Sequence, residues 1–477
     1  MLTLINTNRM TPPIAPIGLD YVAGSARRAG IDTEVLDLCL SDSPTAAMCD
    51  YFGRNQPRLV GLSFRNSDDS FWPSAQWFVP ELAETVAAVR EHTDAPIVLG
   101  GTGYSIFPER TLEATGAEFG VCGDGEAAIV ALYRQVTGRR RFGSVPGLIW
   151  KEEGRLPRNP PAWGGEMNLP VARDAVDNAA YFRLGGQMGL ETKRGCPSRC
   201  VFCADVLAKG ARPRLRDPDE VAEEAAGLYE RGIDVLHTCD SEFNIPPDHA
   251  LAICREFMRR GLGSRGRWYA YLAVAPFDAE LAAALRRAGC AGVNFTGPVG
   301  CDEMLAALDQ PHRCEDIARA VRLCRENGIA VMIDLMLGAP GETPRTVAAT
   351  IEFCKRADAD CVGVGLGVRL YPRLEMARRV AAEGQMESNP AVRRNYDGSV
   401  DLFKPTYYVS AALGPRPASL VRDCIAGDAR FFPPADEAPA GGHADGDHNY
   451  NQNLPLVRAI AGGARGAYWD ILRKLPR

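Results

Sequence analysis

Three cysteines, Cys196, Cys200 and Cys203, share one short segment with the spacing C-x3-C-x2-C. An iron–sulfur cubane usually binds four thiolates, so three cysteines on one loop leave one iron without a protein sulfur ligand. A structural zinc loop is the alternative interpretation. Zinc sites normally combine paired C-x2-C units with a fourth ligand, and no second pair follows this one. The spacing therefore favours a cubane cluster with one open iron.

The residues around these cysteines, KRGCPSRCVFC, resemble the signature of the radical SAM superfamily, in which an aromatic residue precedes the last cysteine. Phe202 stands at that position and is a candidate cofactor contact. The resemblance implies a [4Fe-4S] cluster whose open iron chelates the amino and carboxylate groups of S-adenosylmethionine (SAM). We therefore expect Cys196, Cys200 and Cys203 to be the metal ligands.

The first third of the chain alternates short apolar runs with helical patterns. The predicted strands are Leu2–Asn6, Thr33–Leu38, Leu59–Phe64, Ile97–Leu99 and Glu118–Cys122. Strands joined by crossover helices predict an α/β fold with a doubly wound parallel sheet. Sheets of this kind bind ligands beyond the carboxyl ends of their strands.

Candidate binding residues follow the third, fourth and fifth predicted strands. No G-x-G-x-x-G dinucleotide fingerprint follows the first strand. Instead, Pro16-Ile17-Gly18-Leu19, Gly100-Gly101 and Gly123-Asp124-Gly125-Glu126, in this order and ahead of the cysteines, resemble the motifs of the cobalamin-binding domain found in many radical SAM enzymes. The resemblance implies that cobalamin contacts Ser63, Arg65, Asn66, Gly100, Gly101, Thr102, Gly123, Asp124, Gly125 and Glu126. A plain α/β domain with loop glycines is the alternative.

Arg65 has a second predicted role because no histidine precedes His92. The histidine that holds cobalt in methionine-synthase-like domains is therefore missing. Arg65 follows the third strand, where its side chain could face the lower side of cobalt. A guanidinium stays protonated and cannot donate a lone pair to a metal. We expect Arg65 to be catalytic by disfavouring a sixth cobalt ligand, and a surface arginine on a loop is the alternative.

Six βα units, counted from the strand that precedes the cysteines, predict a partial (β/α)6 barrel over residues 187–385, with its site at the carboxyl ends of the strands. Ser241 and Glu242 match the position of the family's GGE motif. The resemblance implies that Glu242 binds the SAM amino group or occupies the open iron, and an acidic loop is the alternative. Thr296 and Asp334, on later strands, are further candidate SAM contacts.

One segment departs from the radical SAM pattern. Relatives commonly carry an acidic residue followed by Ser-Gly, and the acid contacts the SAM ribose, whereas this chain has Pro298 and Val299. We therefore expect SAM to be held differently. Both radical methyl transfer, through a deoxyadenosyl radical, and polar transfer of a methyl cation stay open.

The βα rhythm is lost after residue 385, which predicts a mixed C-terminal cap over residues 386–477 that closes the barrel and shapes the substrate pocket. Tyr407 and Tyr450 are candidate catalytic bases or substrate contacts, as are Tyr408 and His448. Ordinary packing is the alternative for each of them. The predicted divisions are a cobalamin-binding domain over 1–140, a linker over 141–186, the barrel over 187–385 and the cap.

Composition limits the partners and the compartment. A net charge of −6 argues against a nucleic-acid partner, which normally meets a basic face. No apolar run of about 18 residues is present, so we expect no membrane span. The fifteen cysteines show no pairing pattern and no export signal precedes them, so we expect a reduced, cytoplasmic compartment.

The combined motifs resemble the cobalamin-dependent radical SAM C-methyltransferases, such as the tryptophan 2-C-methyltransferases of thiopeptide pathways. The resemblance implies an enzyme that uses a [4Fe-4S] cluster, SAM and cobalamin. It implies that a methyl group moves from SAM through methylcobalamin to a carbon of a small natural-product precursor. An external donor such as flavodoxin or ferredoxin would supply electrons. The main alternative is a rearranging or cyclising enzyme without methyl transfer; an RNA methylthiotransferase and a cobalamin-binding sensor are others.

Overall fold

The computed structural model describes residues 1–163, 167–435 and 449–476. Its first sheet contains β1 (Leu2–Asn6), β2 (Thr33–Asp37), β3 (Leu59–Ser63), β4 (Ile97–Gly100), β5 (Phe119–Val121) and β6 (Leu148–Trp150). The order is β2-β1-β3-β4-β5-β6; β1 to β5 are parallel and β6 is antiparallel to β5. The predicted doubly wound parallel sheet is confirmed. Strand β6 lies in the segment for which the sequence predicts a linker, so this sheet extends past residue 140.

Helices cover both faces of the first sheet because both faces of its strands are apolar. They are α1 (Ile17–Arg28), α2 (Pro44–Phe52), α3 (Val79–Arg90), α4 (Thr102–Ile106), α5 (Pro108–Thr115) and α6 (Glu126–Val136). Leu4 packs with α1 and α6 on one face, and Ile5 packs with α2 and α3 on the other. Because side chains alternate along β1, this strand contributes to two separate hydrophobic cores.

The rest of the chain adds twelve strands, two of them in a short hairpin. They are β7 (Met188–Leu190), β8 (Lys193–Arg194), β9 (Arg214–Leu215), β10 (Val235–Thr238), β11 (Arg267–Leu272), β12 (Cys290–Phe295), β13 (Ala330–Leu337), β14 (Cys361–Leu366), β15 (Val368–Arg369), β16 (Val392–Arg394), β17 (Thr406–Tyr408) and β18 (Phe431–Phe432). The second sheet runs β18-β14-β13-β12-β11-β10-β7 and is parallel throughout. The hairpin β8–β9 is antiparallel, as is the small sheet β15-β17-β16.

Helices follow the strands of the second sheet, as the βα rhythm predicts. They are α7 (Asn178–Gly185), α8 (Asp205–Lys209), α9 (Pro218–Glu230), α10 (Pro247–Arg259), α11 (Ala279–Arg287), α12 (Asp302–Ala307), α13 (Cys314–Glu326), α14 (Pro344–Ala357), α15 (Glu375–Ala382), α16 (Pro417–Ile425), α17 (Leu454–Ala461) and α18 (Tyr468–Leu472). Within the described residues, no helix is long and apolar enough to cross a membrane.

The last two helices do not cap the carboxyl end of the barrel. Helices α17 and α18 pack against Val235, Tyr269 and Cys361, which lie at or near the amino ends of their strands. The hydroxyl of Tyr269 donates a hydrogen bond of 2.8 Å to Asp470. Strand β18 also joins the second sheet as its seventh strand. The last two helices therefore close the amino end of the sheet, because their apolar residues find their partners there. Ser410, after β17, instead donates a backbone hydrogen bond to Gly338, just past the carboxyl end of β13.

Three ion pairs without solvent exposure connect the two halves of the chain. Arg173, from the connecting segment, pairs with Asp20 of α1 at 2.7 Å and with Glu224 of α9 at 2.9 Å. Arg216 pairs with the same glutamate at 2.8 Å, and Tyr21 donates to it at 2.8 Å. Buried charges persist when they are paired, so this network fixes α1 against α9.

Candidate functional site

A cavity of about 420 Å³ lies between the carboxyl ends of the first sheet and the hairpin β8–β9. The structure brings together here all ten residues for which the sequence predicts cobalamin contacts. They are Ser63, Arg65, Asn66, Gly100, Gly101, Thr102, Gly123, Asp124, Gly125 and Glu126. The second sheet contributes Gly189 and Cys239, so the cavity opens toward both halves of the chain.

Two glycines let the loops after β3 and β4 touch. Gly101 has a φ of 102°, and a Cβ there would lie 2.5 Å from the carbonyl oxygen of Phe64. A Cβ on Gly103 would lie 2.7 Å from the carbonyl carbon of Asn66. Gly100 has open space instead, with nothing within 4 Å of a built Cβ. Backbone can therefore approach a bound group closely at this edge.

The inner part of the cavity is apolar. Leu4, Gly61, Val98 and Ile129 line it between the sheet and α6. Its mouth is polar and contains Asn8, whose side-chain nitrogen is buried and makes no hydrogen bond within the described structure. An apolar slot under a polar, glycine-lined rim fits a large cofactor that has both apolar and amide-bearing parts.

Arg194 joins this cavity to the cysteine loop. It donates two hydrogen bonds to Glu126, of 3.0 and 2.8 Å, and lies 2.8 Å from Glu191 and 3.3 Å from Asp124. Burial raises the pKa of Glu126, but Arg194, a backbone hydrogen bond and Arg214 together hold that pKa below its usual value. Arg214 pairs with Asp124 at 3.0 Å. Both acidic side chains of the loop after β5 therefore bind arginines of the hairpin.

Arg65 is exposed and lines the cavity, with a hydrogen bond of 3.1 Å to the side chain of Asn66. Burial raises the pKa of Cys239 to about 11, and the charge of Arg65 partly opposes this. The same two effects act on Tyr271, whose pKa burial raises to about 12. Among the described residues, no histidine lines the cavity. Arg65 thus lies between the cavity and the second sheet.

The cysteine loop holds three free thiols. Gly195 has a φ of 88°, and a Cβ there would lie 2.3 Å from the carbonyl oxygen of Arg212, so the loop requires glycine. Cys196 is buried, and the sulfur of Cys200 lies 3.9 Å from the side-chain oxygen of Gln310. The described residues contain no group of three or more His, Cys, Asp or Glu gathered around a single-ion site. Three thiols on one loop are the donor set that a cubane with one open iron requires.

Glu242 carries a polar atom that suits a cationic ligand. Its Oε2 is buried and has no hydrogen-bond partner in the described structure. Burial raises the pKa of this carboxyl group to about 7, against a hydrogen bond from Thr296 that lowers it. The neighbouring Ser241 donates a hydrogen bond of 2.7 Å to Asp205. An orphaned carboxylate oxygen fits an ammonium group such as that of SAM.

The remaining predicted site residues lie away from the large cavity. Phe202 packs against the core of the second sheet. Tyr407 is completely buried, its ring centre lies 5.6 Å from that of Trp72, and its hydroxyl makes no hydrogen bond within the described structure. Tyr407 lines no described cavity, so its catalytic role stays a prediction. His448 lies outside the described residues.

Tyr450 and Asp334 lie with Tyr271 on the inner face of the second sheet, which we call the lumen. The hydroxyl of Tyr450 lies 3.8 Å from the sulfur of Met332, whose strand also carries Asp334. Burial raises the pKa of Tyr450, and the charge of Asp334 adds to that effect. Tyr271 pairs in register with Asn294, and Asn294 pairs with Met332.

Sequence reasoning did not single out four residues that the structure places at or beside the cavity. Asn8, Glu191 and Arg194 line it, and Asn451 lies in a neighbouring cavity. The position of Asn8 just after β1 was a usable signal, because that end of a parallel strand faces the ligand side. Asn451 gave no such signal.

Comparisons with known proteins agree with the two halves of the site. Residues 5–133 match the family model of the B12 binding domain, and residues 190–354 match that of the Radical SAM superfamily. The chain is 32% identical over 446 residues to the tryptophan 2-C-methyltransferase of Streptomyces laurentii, covering 80% of this chain and 74% of that protein. It is 23% identical to the cytidylyl-2-hydroxyethylphosphonate methyltransferase of Streptomyces wedmorensis, covering 72% and 73%.

Solved structures give the same result. The radical SAM methyltransferase TsrM from Kitasatospora setae, with tryptophan substrate and a SAM analog bound, matches with a TM-score of 0.90 and 32% identity over 99% of this chain and 97% of that one. The same enzyme with cobalamin and a [4Fe-4S] cluster matches with a TM-score of 0.88. The cobalamin-dependent enzyme OxsB matches with a TM-score of 0.72 at 16% identity, which shows a shared fold.

Proposed function

The chain belongs to the cobalamin-dependent radical SAM methyltransferases, and from this premise we propose that its substrate is tryptophan or a closely related aromatic amino acid, methylated at a ring carbon. The enzyme transfers a methyl group from SAM; rearrangement or cyclisation without methyl transfer is not favoured. When bound, cobalamin supplies the methyl carrier and the [4Fe-4S] cluster supplies an open iron for SAM. The tryptophan 2-C-methyltransferase of Streptomyces laurentii and the tryptophan-bound TsrM structure support the substrate proposal.

The observation that carries this proposal is an aromatic and acidic lumen in the second sheet. The ring centres of His237 and Tyr271 are 5.1 Å apart, and those of Tyr450 and Tyr468 are 5.6 Å apart. Asp334 lies on the same side, and its charge acts on both Tyr271 and Tyr450. Aromatic walls suit an indole ring, and a carboxylate suits an amino acid's ammonium group.

The charges that act on Tyr271 support a substrate position between the two cofactors. Burial dominates its pKa, and Asp334, Arg65 and Glu242 all contribute. Arg65 lines the large cavity, and the charge of Glu242 acts on Cys200 of the cysteine loop. A substrate beside Tyr271 would therefore have cobalamin on one side and SAM on the other. We propose that Asp334 holds the substrate rather than SAM.

The roles of the other predicted residues follow from their contacts. We propose that Glu242 accepts hydrogen bonds from the SAM ammonium group through its orphaned oxygen. Arg65 would present a fixed positive charge, and no lone pair, to the lower face of cobalamin. The ten loop residues at the large cavity would surround cobalamin.

An external electron donor is also part of the proposal. Pro197 and Arg199 of the cysteine loop are exposed, so the loop is accessible from solvent. An acidic electron-transfer protein such as a flavodoxin or a ferredoxin would suit this loop. To test this, reduced flavodoxin or ferredoxin is mixed with enzyme that carries the cluster and cobalamin, and the reduction of the enzyme is followed by absorbance.

The test of the substrate proposal is a turnover assay with reconstituted enzyme, methyl-labelled SAM and a chemical reductant. With tryptophan, we expect one labelled methyl group on the ring, detected by mass spectrometry and assigned by NMR. Asp334→Asn should raise the KM for tryptophan at least tenfold and leave the Kd for SAM unchanged. No methylated tryptophan from enzyme with full cofactor loading would contradict the proposal, and stoichiometric deoxyadenosine would show the radical rather than the polar route.

A further inference from the structure

A second cavity of about 300 Å³ adjoins the large one and has a different lining. The two share Asn8, Arg65 and Asn66. The second cavity adds side-chain amides from Gln76, Asn451 and Gln452. Primary amides thus come from three separate stretches of the chain, including the C-terminal segment. This cluster of amides suits a ligand that both donates hydrogen bonds to amides and accepts them.

Two of these amides carry buried atoms without a hydrogen-bond partner in the described structure. Asn8 has an orphaned nitrogen, and Asn451, which is 3% exposed, has an orphaned oxygen. The orientation of Asn8 is fixed because its oxygen accepts from the backbone N–H of Met10, at 3.3 Å. The nitrogen of Asn451 donates to the side-chain oxygen of Gln76 at 2.7 Å, which leaves its oxygen free. Two residues that line the second cavity therefore carry one unused donor and one unused acceptor.

Hydrogen bonds of Gln452 and of Asn449 fix the position of Asn451. The backbone N–H of Gln452 donates to the carbonyl of Thr11 at 2.6 Å. The side chain of Asn449 donates to Ser74 at 3.2 Å and accepts from the backbone N–H of Asn451 at 3.1 Å. The C-terminal segment is thus anchored on loops of the first sheet.

The pair of orphaned atoms selects the ligand chemistry. A phosphate or carboxylate only accepts hydrogen bonds, so it leaves the oxygen of Asn451 unsatisfied. An ammonium group only donates, so it leaves the nitrogen of Asn8 unsatisfied. A primary carboxamide satisfies both atoms, and leaving either one buried without a partner is costly. The corrin ring of cobalamin carries several primary carboxamides on its rim.

We propose that the second cavity binds carboxamide side chains of the corrin rim, with Asn8 donating to them and Asn451 accepting from them. The inference rests on the proposed function, because it requires cobalamin in the adjoining large cavity. It assigns a cofactor-binding role to the C-terminal segment, where the sequence predicts substrate contacts or catalytic bases.

The test measures cobalamin affinity of the full-length apoprotein by absorbance titration with hydroxocobalamin. Asn451→Ala and Asn8→Asp alter the site from two different segments, and Asn8→Asp keeps the acceptor that Met10 requires. Each should weaken binding about five- to tenfold, the value of one lost hydrogen bond to a buried group. Asn395→Asp is the matched control, because Asn395 is exposed and donates to Pro73 at 2.8 Å; its affinity should equal that of the wild type.

Cobinamide, which keeps rim amides and lacks the nucleotide tail, identifies the part of cobalamin that is bound. We expect both variants to lose the same factor for cobinamide as for hydroxocobalamin. A loss confined to hydroxocobalamin would assign the second cavity to the nucleotide tail and overturn the inference. Unchanged affinity with a raised KM for the amino acid would also overturn it. Failure of the wild-type protein to bind any corrinoid would instead contradict the proposed function.

Discussion

Replacing Arg173 with methionine tests how the two halves of the chain are held together. The change keeps most of the side-chain volume and removes a guanidinium that pairs with Asp20 and Glu224, all three side chains having no solvent exposure. Breaking a buried ion pair by removing one partner costs about 3–5 kcal/mol, since a buried charge loses its compensation. Glu224 keeps Arg216 and Tyr21, so we expect the lower half of that range.

The assay is equilibrium unfolding of the apoprotein in urea, supported by thermal unfolding. With an unfolding entropy of roughly 2.1 cal/mol/K per residue over 477 residues, a loss of about 3 kcal/mol lowers Tm by about 3 °C if the chain unfolds as one unit. Arg265→Met is the control, because Arg265 and Glu230 are 38% and 69% exposed. An exposed pair contributes about 0–1 kcal/mol. Equal losses for the two variants would refute the reasoning that the buried network fixes the two halves together.

Three further predictions concern single positions. Burial raises the pKa of Glu342 to about 7 from 4.5, so its protonated form stabilises the fold at low pH, and this contribution is lost as pH rises from about 4.5 to 7. The free energy of unfolding of Glu342→Gln, measured in urea, should therefore exceed that of the wild type by about 3 kcal/mol at pH 8. The two values should be equal at pH 4.5. Gly101→Ala, at φ 102° and against Phe64, should lower stability by about 1–3 kcal/mol and weaken cobalamin binding, whereas Gly18→Ala, with open space at its Cβ, should be tolerated in thermal unfolding. Glu242→Gln should weaken SAM binding about tenfold in calorimetry, the order of one charge-assisted hydrogen bond, with unchanged cluster absorbance; loss of that absorbance would show that Glu242 binds iron instead.

Local patterns predicted the elements of the fold well. The strand Leu2–Asn6 has the predicted ends, and the other four parallel strands of the first sheet differ from their predicted bounds by one residue at one or both ends. Fully apolar runs between helical patterns leave one regular choice, a buried parallel strand. Phe431–Phe432 was missed because two residues carry no periodicity, so its place in the second sheet depends on tertiary packing alone.

The candidate site could be predicted only where one loop carries its own signal. The cysteine spacing and the glycine loops belong to single short segments, and the ten loop residues do line one cavity. The ion pairs of Arg194 with Glu126 and the contact of Asn451 with Gln76 join residues far apart in the chain. Nothing in either local sequence indicates such a partner. The position of the C-terminal helices at the amino end of the sheet was likewise decided by contacts with Val235 and Tyr269.

Arg194 has a consequence for the order in which the enzyme acquires its cofactors. It stands two residues before Cys196 and binds Glu126, which lines the large cavity. A cofactor that orders the loop of Glu126 also restrains the strand that leads into the cysteines, and the restraint acts equally in the other direction. By thermodynamic linkage, any change that one cofactor makes in the affinity for the other is matched by the same factor in the reverse direction. We therefore expect cobalamin to bind more tightly to cluster-loaded than to cluster-free protein, which absorbance titration of the two forms would measure.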